Sequence, residues 1–364
     1  MRIMVSAWQL LMGAERNNTT NRSLPRLEKE RARGISGMRN FAILGAGWIA
    51  DVMSKTLAGM REEVNAYAVA SRDLEKAETF ARDHGFEKAY GSYEEMLADP
   101  KVDLVYIAVP HSHHHQWTIA SLDAGKHVLC EKAFAVNERQ AKEMIDLAHS
   151  RGLLLAEAIW TRYQPARKMI DDLIAEGLIG TPEVVSANLD YFITHQERSV
   201  EPYLAGGALL DVGVYTLNFA SMVMGNKIRR IAASCVMYES GVDAKDNIFI
   251  EYENGGMASL YASMTDQSNR TGTITGPKGY IEISNINNPQ EIRVYEQEGY
   301  GSRLIRRLPV PDQINGYEYE VRSALAAIEA GQVECPEMPH EETLEIMRQM
   351  DECRKQFGLV FPCE

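Results

Sequence analysis

The sequence predicts an α/β protein in which a doubly wound parallel sheet is followed by an α+β part with a large, mostly antiparallel open sheet. In the first part, short apolar runs alternate with segments of helical spacing, which is typical of a parallel sheet covered on both faces. Beyond Trp160, strand-like runs follow one another through turns such as "ENGG" and "GPKG", as antiparallel strands do. A chain of 364 residues with 45% hydrophobic content is long enough for two such cores.

The chain divides into three predicted regions. Residues 1–37 have a short apolar patch and then a polar, basic stretch without helical or strand period, which predicts a disordered tail or a start placed upstream of Met38. Residues 38–160 are expected to form the parallel-sheet domain. Residues 161–364 are expected to form a second domain that binds substrate and makes oligomer contacts.

Composition excludes several classes of function. The net charge is −13 and no block rich in Lys and Arg is present, so we expect no nucleic-acid partner. The longest apolar runs are strand-sized, so we expect no membrane partner. The five cysteines are scattered, without the Cys-x-x-Cys spacing of zinc or redox sites. A reducing cytoplasm is the simplest expected location.

Five apolar runs are the predicted strands of the first sheet. Glycines follow the apparent helix ends between them, as at Gly85, Gly125 and Gly152, and Asn137 can cap the helix that begins after it. Because parallel strands end at one edge of their sheet, ligands are expected there. The runs are 41–44, 64–70, 102–109, 127–130 and 153–158.

The first strand ends in "GAGWIA", a Gly-x-Gly-x-x-Ala sequence between a strand and a helix. Gly45 allows the tight turn, Gly47 lets a pyrophosphate approach the backbone, and Ala50 permits close helix packing. Trp48 and Ile49 open the helix, whose first amides and dipole favour an anion. The stretch predicts a dinucleotide site in a Rossmann domain, and a glycine turn without a ligand is the alternative.

The tip of the second strand indicates which dinucleotide binds. NAD-selective sites usually carry an acidic residue there, whereas this chain has Ser71 and Arg72. A hydroxyl and a guanidinium suit a 2′-phosphate, so we predict NADP. NAD stays open, since Ser71 could cap the next helix and Arg72 could lie over the adenine. Asp73 comes one residue late and could also be a cap.

The fourth strand leads into "AVPHSHHHQW", which contains four histidines. His111, His113, His114 and His115 resemble a metal site, but no acidic residue or cysteine accompanies them at ligand spacing. We therefore predict no metal. Pro110, which fixes the path of the loop, and His111 and His114 are predicted to pack against a nicotinamide ribose.

Five motifs in order resemble one family. They are "GAGWIA", "YGSYEEMLADPKVDLVYIAVPHSHHH", "AGKHVLCEKA", "EAIWTRYQP" and "GGALLDVGVY". Together they are similar to the glucose-fructose oxidoreductase, inositol dehydrogenase and MocA family over nearly all of the chain from Met38. Within it, "AEAIWTRYQP" and the tyrosine of "DVGVY" look most like the branch of the dihydrodiol and xylose dehydrogenases, whose members typically use NADP.

The resemblance assigns roles to individual residues. It implies that Lys132 is the catalytic lysine, that Glu131 anchors it or touches the nicotinamide ribose, and that Trp160 and Arg162 line the substrate side and the nicotinamide pocket. The family usually reads Glu-Lys-Pro, and Ala133 takes the place of the proline here. This departure restores a backbone N–H and loosens the loop without removing chemistry.

Asp211 and Tyr215 lie four residues apart in a segment with helical spacing, hence on one helix face. The family usually reads Asp-x-Gly-x-His here, and tyrosine in the histidine position resembles the acid/base of the dihydrodiol branch. A nearby Lys132 would lower the pKa of the phenol by favouring the phenolate. The alternatives are a core aromatic at Tyr215 and a helix cap at Asp211.

The sequence therefore predicts an NAD(P)-dependent oxidoreductase that transfers a hydride to or from a small-molecule substrate. The substrate would be a secondary alcohol or ketone of a sugar, a polyol or a cyclic trans-diol. A non-catalytic NADP-binding sensor of the same fold is the alternative, although such a sensor needs neither Lys132 nor Tyr215. In the family that the chain resembles, the open face of the second sheet typically pairs with another subunit, which implies a homodimer or homotetramer.

Overall fold

The computed structural model describes residues 37–364, so all of the predicted tail (1–37) except its last residue lies outside the described residues. Residues Arg39–Glu364 form one compact unit. Two sheets organise this unit, and each belongs to one of the two predicted parts.

The first sheet is parallel, with the strand order β3-β2-β1-β4-β5-β6. This confirms the doubly wound prediction. The edge strand β3 was not predicted, because it is three residues long and only partly buried. The strands are β1 (Arg39–Leu44), β2 (Val64–Ala70), β3 (Lys88–Tyr90), β4 (Leu104–Ile107), β5 (His127–Glu131) and β6 (Leu155–Ala158).

The helices of this part begin and end where local chemistry favours it. Gly85 and Gly152 adopt the left-handed conformation as C-caps, and the side chain of Asn137 accepts from the N–H of Gln140. At the helix after β2 the cap is Asp73, which accepts from Lys76. The helices are α1 (Trp48–Gly59), α2 (Leu74–His84), α3 (Tyr93–Ala98), α4 (His114–Asp123) and α5 (Glu138–Arg151).

The second sheet has the order β14-β13-β12-β11-β7-β10-β9-β8, and all neighbours are antiparallel except β7 with β10. The mostly antiparallel prediction is confirmed. The strand β14 was not predicted, because its exposed, arginine-rich sequence lacks an apolar run. The strands are β7 (Val184–Asp190), β8 (Ile228–Met237), β9 (Asp243–Tyr252), β10 (Met257–Ser263), β11 (Gly272–Gly276), β12 (Gly279–Ile283), β13 (Glu291–Glu298) and β14 (Gly301–Pro309).

Helices pack on one face of this sheet, with α8 against β7 and β10 and α10 against β8. The helices of the second part are α6 (Pro165–Ala175), α7 (Glu197–Val200), α8 (Val214–Met224), α9 (Glu318–Glu329) and α10 (His340–Phe357).

The sequence predicted one continuous α-helix for the segment that carries Asp211, and the structure differs. Leu209–Gly213 is a π-helical turn, and α8 begins directly after it. Turns of this kind occur often at functional sites. The stretch Pro202–Met224 is long and apolar enough to cross a membrane, but 83% of its apolar 18-residue window is buried inside the protein, as in a core helix.

Candidate active site

The glycine turn between β1 and α1 leaves room for a ligand. Gly45 has φ +111°, and a Cβ there would lie 2.4 Å from the carbonyl oxygen of Ala108. A Cβ on Gly47 would meet no heavy atom within 4 Å, and no side chain caps the first amides of α1. Trp48, 68% exposed, and the half-buried Ile49 follow at the open end of the helix. These residues fit a dinucleotide pyrophosphate.

Arg72 lies at the tip of β2 with its side chain in solvent. Within residues 37–364 its guanidinium makes no hydrogen bond or ion pair. Its charge, together with burial, lowers the pKa of His113, which places it near the histidine run. Ser71 is buried and accepts from the N–H of Asp73 at 3.3 Å, so it shapes the tip of the strand. Arg72 is therefore available to a ligand phosphate.

The four histidines that follow β4 face different partners. His113 pairs with Ser112, and His115 pairs with Glu143. Within residues 37–364, no group of three or more side chains could hold a metal ion. Pro110 begins the turn, as predicted.

His111 and His114 both use their ring nitrogens within the protein. Burial lowers their pKa values to about 3 and about 4, so both rings are neutral. His111 Nδ1 donates to the carbonyl of Ala205 at 2.9 Å. The two nitrogens of His114 lie 2.8 Å from the carbonyls of Ala133 and Val109, and a neutral ring can donate to one of them. These histidines position the loop, and their contact with a nicotinamide ribose stays a prediction.

Three predicted catalytic residues come together at the carboxyl end of β5. Lys132 Nζ donates to the side chain of Asp211 (Oδ1) and to its backbone carbonyl, both at 2.8 Å. The same ammonium lies 5.1 Å from the centroid of the Tyr215 ring. Two of its three N–H groups are thus taken by Asp211, and one can reach a substrate oxygen.

Asp211 binds a second cation that the sequence reasoning missed. Arg198 Nη1 lies 2.7 Å from Asp211 Oδ2, which also accepts from Ser199 at 3.3 Å. Although burial alone would raise it, the charges of Lys132 and Arg198 hold the pKa of Asp211 well below its usual range. Arg198 lies thirteen residues before Asp211, in the four-residue helix α7, which is too short to show helical periodicity, so no sequence pattern marked it.

The predicted lowering of the Tyr215 pKa is wrong. Burial raises it well above its usual value, and the nearby Tyr317, Glu131 and Asp211 add to the effect. The ammonium of Lys132 is bound by Asp211 and lies against the ring, so its charge does not offset burial. Tyr215 is therefore a neutral phenol that holds its proton.

Glu131 turns into the protein interior beside the site. It accepts hydrogen bonds from the Tyr106 hydroxyl and, at 3.2 Å, from the backbone N–H of Lys132. Burial raises its pKa, and the charge of Lys132 opposes this. The predicted anchoring of Lys132 thus occurs through the backbone and not through the ammonium. Neither carboxyl oxygen of the neighbouring, buried Glu320 has a hydrogen-bond partner.

Trp160 and Arg162 differ in where they point. Trp160 stacks on Tyr317, with ring centroids 4.3 Å apart, and donates to Asn287 at 3.0 Å. Trp160 also lies close enough to Tyr215 to influence the pKa of the phenol. Asn287, which holds the indole, is a second residue that the sequence reasoning missed.

Arg162 is buried and joins α8 to α10. Its guanidinium donates to Asn218 at 2.6 Å, Glu342 at 2.9 Å and Ser221 at 3.1 Å. With these three partners the Arg162 side chain is buried in the protein, and only 7% of the residue is exposed. The structure therefore gives the Arg162 guanidinium three internal partners, and the predicted place of Arg162 in the nicotinamide pocket stays a prediction.

Known proteins match both parts of the chain. The family described as "Oxidoreductase family, NAD-binding Rossmann fold" matches residues 39–158, and the GFO/IDH/MocA C-terminal domain matches residues 167–282. The trans-1,2-dihydrobenzene-1,2-diol dehydrogenase of Sus scrofa is 36% identical over 334 residues, covering 88% of this chain and 98% of the relative. The enzyme of the same name from Homo sapiens is 35% identical over 330 residues, with the same coverage.

Solved structures share the fold. A 3-ketoreductase from Actinomadura kijaniata in complex with NADP and TDP-benzene superposes with a TM-score of 0.79 at 24% identity, covering 88% of this chain and 98% of that one. An aldose-aldose oxidoreductase from Caulobacter crescentus complexed with glycerol gives 0.78 at 24% identity, with coverage of 88% and 97%. Such identities carry the fold and not the substrate.

Proposed function

Since the chain belongs to the GFO/IDH/MocA family of oxidoreductases and is a dehydrogenase acting on CH–OH groups, we propose that it oxidises cyclic trans-diols with NADP. The observation that carries the proposal is the grouping of Lys132, Asp211 and Tyr215 at the same sheet edge as the glycine turn. When bound, the nicotinamide accepts or gives the hydride. The side chains of the site stabilise the substrate oxygen and move its proton.

Lys132 stabilises the substrate oxygen. Its remaining N–H can donate to the hydroxyl or carbonyl, and its charge favours the alkoxide that develops as hydride leaves the carbon. Asp211 fixes the direction of the ammonium through two contacts of 2.8 Å, which leaves the third donor in one orientation.

Tyr215 moves the proton. As a neutral phenol it can donate to the carbonyl oxygen of a ketone during reduction. In the oxidation direction it must first lose that proton, and its raised pKa makes this step favourable only at alkaline pH. The site is thus set for proton donation at neutral pH and for oxidation at higher pH.

Two features support a cyclic trans-diol as the substrate. The curated relatives are named for trans-1,2-dihydrobenzene-1,2-diol and match along almost their full length. The stacked pair of Trp160 and Tyr317 beside the phenol provides an aromatic wall suited to a flat, apolar ring. A sugar or polyol is the second candidate within the same reaction.

NADP is proposed over NAD because Arg72, at the tip of β2, has no hydrogen-bond or ion-pair partner among residues 37–364. We further propose a homo-oligomer formed through the second sheet, where Val236 and Met237 on the edge strand β8 are 59% and 43% exposed. A cytoplasmic location completes the proposal.

The test is turnover by the purified full-length protein. Trans-dihydrodiols, aldoses and polyols are offered separately with NADP and with NAD, and formation of the reduced nicotinamide is followed by its absorbance. The proposal predicts the highest kcat/KM for a dihydrodiol with NADP. If NADP binds and no alcohol or ketone reacts, the alternative of a non-catalytic sensor takes its place.

A further inference from the structure

Arg198 binds the carboxylate oxygen of Asp211 that Lys132 leaves free. From this arrangement we infer that Arg198 is a positioning residue that lets Lys132 keep an effective positive charge while Asp211 holds it. The inference rests on the proposed function, because it concerns how Lys132 acts on a substrate oxygen.

The contacts form a row of three charges. Lys132 Nζ lies 2.8 Å from Asp211 Oδ1, and Arg198 Nη1 lies 2.7 Å from Oδ2. The side chains of Asp211, Lys132 and Arg198 are 4%, 13% and 36% exposed. The Asp211 carboxylate is therefore shared between Lys132, which lies beside Tyr215, and Arg198, which is partly exposed to solvent.

Charge balance explains why two cations are needed. A buried carboxylate with Lys132 as its one partner would form a neutral pair, and a neutral pair stabilises a developing oxyanion weakly. Arg198 brings the row to a net charge of +1. Asp211 can then orient Lys132 without cancelling its charge.

The chain around Arg198 is built to hold it there. Gly207 has φ +119° and donates its N–H to the carbonyl of Ser199 at 2.9 Å, which returns the loop towards α7. On the outer side, the Tyr203 hydroxyl donates to Glu197 at 2.6 Å. The contact from His111 to Ala205 ties the same loop to the first sheet. Arg198 thus approaches Asp211 from a fixed backbone.

A purely structural role for Arg198 would be to anchor this loop. The two roles are separable, because the hydrogen bond from Tyr203 to Glu197 anchors α7 without touching Asp211. Tyr203→Phe is therefore a matched control that loosens the loop and leaves the charge row intact. Arg198→Gln removes the charge, and Arg198→Lys keeps it, since a single nitrogen of Arg198 makes the ion pair.

The experiment measures steady-state kinetics of these three variants with the best substrate of the wild-type enzyme. Arg198→Gln is expected to lower kcat and kcat/KM equally, by about 10- to 100-fold, because the lost interaction acts in the transition state. Arg198→Lys should recover most of this loss, and Tyr203→Phe should stay near wild type. Full activity of Arg198→Gln, equal losses in Arg198→Lys, or an equal loss in Tyr203→Phe would each overturn the inference.

A second readout does not depend on turnover. The charged and titratable groups that face Asp211 are Lys132 just after β5, Arg198 from α7, His111 from the loop after β4 and Tyr215 from α8. Removing Arg198 must raise the pKa of Asp211, so the acid limb of stability should move to higher pH in Arg198→Gln but not in Tyr203→Phe. If the wild type turns over no substrate, the proposed function fails. An unchanged acid limb in Arg198→Gln would separately overturn the inference, because it would show that Arg198 does not stabilise the Asp211 carboxylate.

Discussion

Buried aspartates at the π-helical turn differ in their partners. Asp211 lies within the turn and binds Lys132 and Arg198. Asp243, on β9, accepts from the N–H of Leu209 at the start of the turn, and its neighbour Asp246 has no cation in contact among residues 37–364.

The pKa values move in opposite directions. Asp211 lies well below its usual range, whereas burial raises the pKa of Asp243 and places that of Asp246 well above its usual range. As two carboxylates, Asp243 Oδ1 and both oxygens of Asp246 would lack a partner. A proton on Asp246 lets it donate to Asp243, so the pair shares one negative charge. Both Asp211 and Asp246 are buried, so burial alone does not set the charge of these acids. The charge depends on whether a cation contacts the carboxylate.

The largest expected effect comes from removing the cation that distinguishes Asp211. Lys132→Met should lower kcat by roughly 10²–10⁴-fold, because the charge on the substrate oxygen is lost. Steady-state kinetics measure this, and nicotinamide fluorescence on binding NADPH serves as the control for cofactor affinity. An active Lys132→Met enzyme would mean that Lys132 serves only to neutralise Asp211.

Tyr215 resembles the unpaired acids, since burial also keeps its proton on. Oxidation requires the phenolate, and the pKa of Tyr215 lies well above its usual value, so the oxidation rate should rise about tenfold per pH unit through the neutral range. Tyr215→Phe should lower the rate by roughly 10²–10⁴-fold and flatten this profile. A wild-type rate that levels off below neutral pH would exclude Tyr215 as the base.

Breaking the paired aspartate should destabilise the fold. Asp211→Asn removes the shared partner of two cations, and the loss of one partner of a buried ion pair costs about 3 kcal/mol. Urea unfolding followed by tryptophan fluorescence measures the change. An unchanged unfolding midpoint would show that solvent already screens the charges of Lys132 and Arg198.

Lys132 and Arg198 both pair with a carboxylate, whereas Arg72 forms no ion pair among residues 37–364. Arg72→Ala should weaken NADP binding by about 1.5–3 kcal/mol and leave NAD binding nearly unchanged, because the lost contact is a charged hydrogen bond to the 2′-phosphate. Calorimetric titration with each cofactor tests this. Equal losses for both would show that Arg72 does not contact the 2′-phosphate.

The smallest expected effect has the opposite sign to that of Asp211→Asn. Asp246→Asn keeps a donor towards Asp243 without needing a proton, and should raise stability at neutral pH by on the order of 1 kcal/mol. The folded pKa of Asp246 is raised, so its stabilising proton is fully present below the unfolded value of about 3.9 and stability falls as pH rises above it.

The gain from Asp246→Asn should therefore grow with pH, and thermal unfolding at several pH values measures it. Asn247→Asp, on the exposed side of β9, is the control for a change of charge nearby. A destabilised Asp246→Asn at every pH would show that the pair is ionised or held in another way.

Local sequence patterns predicted the two-part fold and the glycine turn, while the resemblance to the family implied that Lys132, Asp211 and Tyr215 belong to one site. Strand and helix periods, caps such as Asn137, and the edge of a parallel sheet depend on residues near one another in the chain, so local patterns record them.

The partner of each charged group depends on the three-dimensional arrangement of the chain. Arg198 reaches the site from the short helix α7 and Asn287 from an irregular segment, Arg162 binds Glu342 of α10, and the π-helical turn interrupts the predicted helix. The pKa of Tyr215 depends on burial and on where the Lys132 ammonium points, both of which are set by residues far apart in the chain. Distances between such residues fix the electrostatics, and a linear pattern does not contain them.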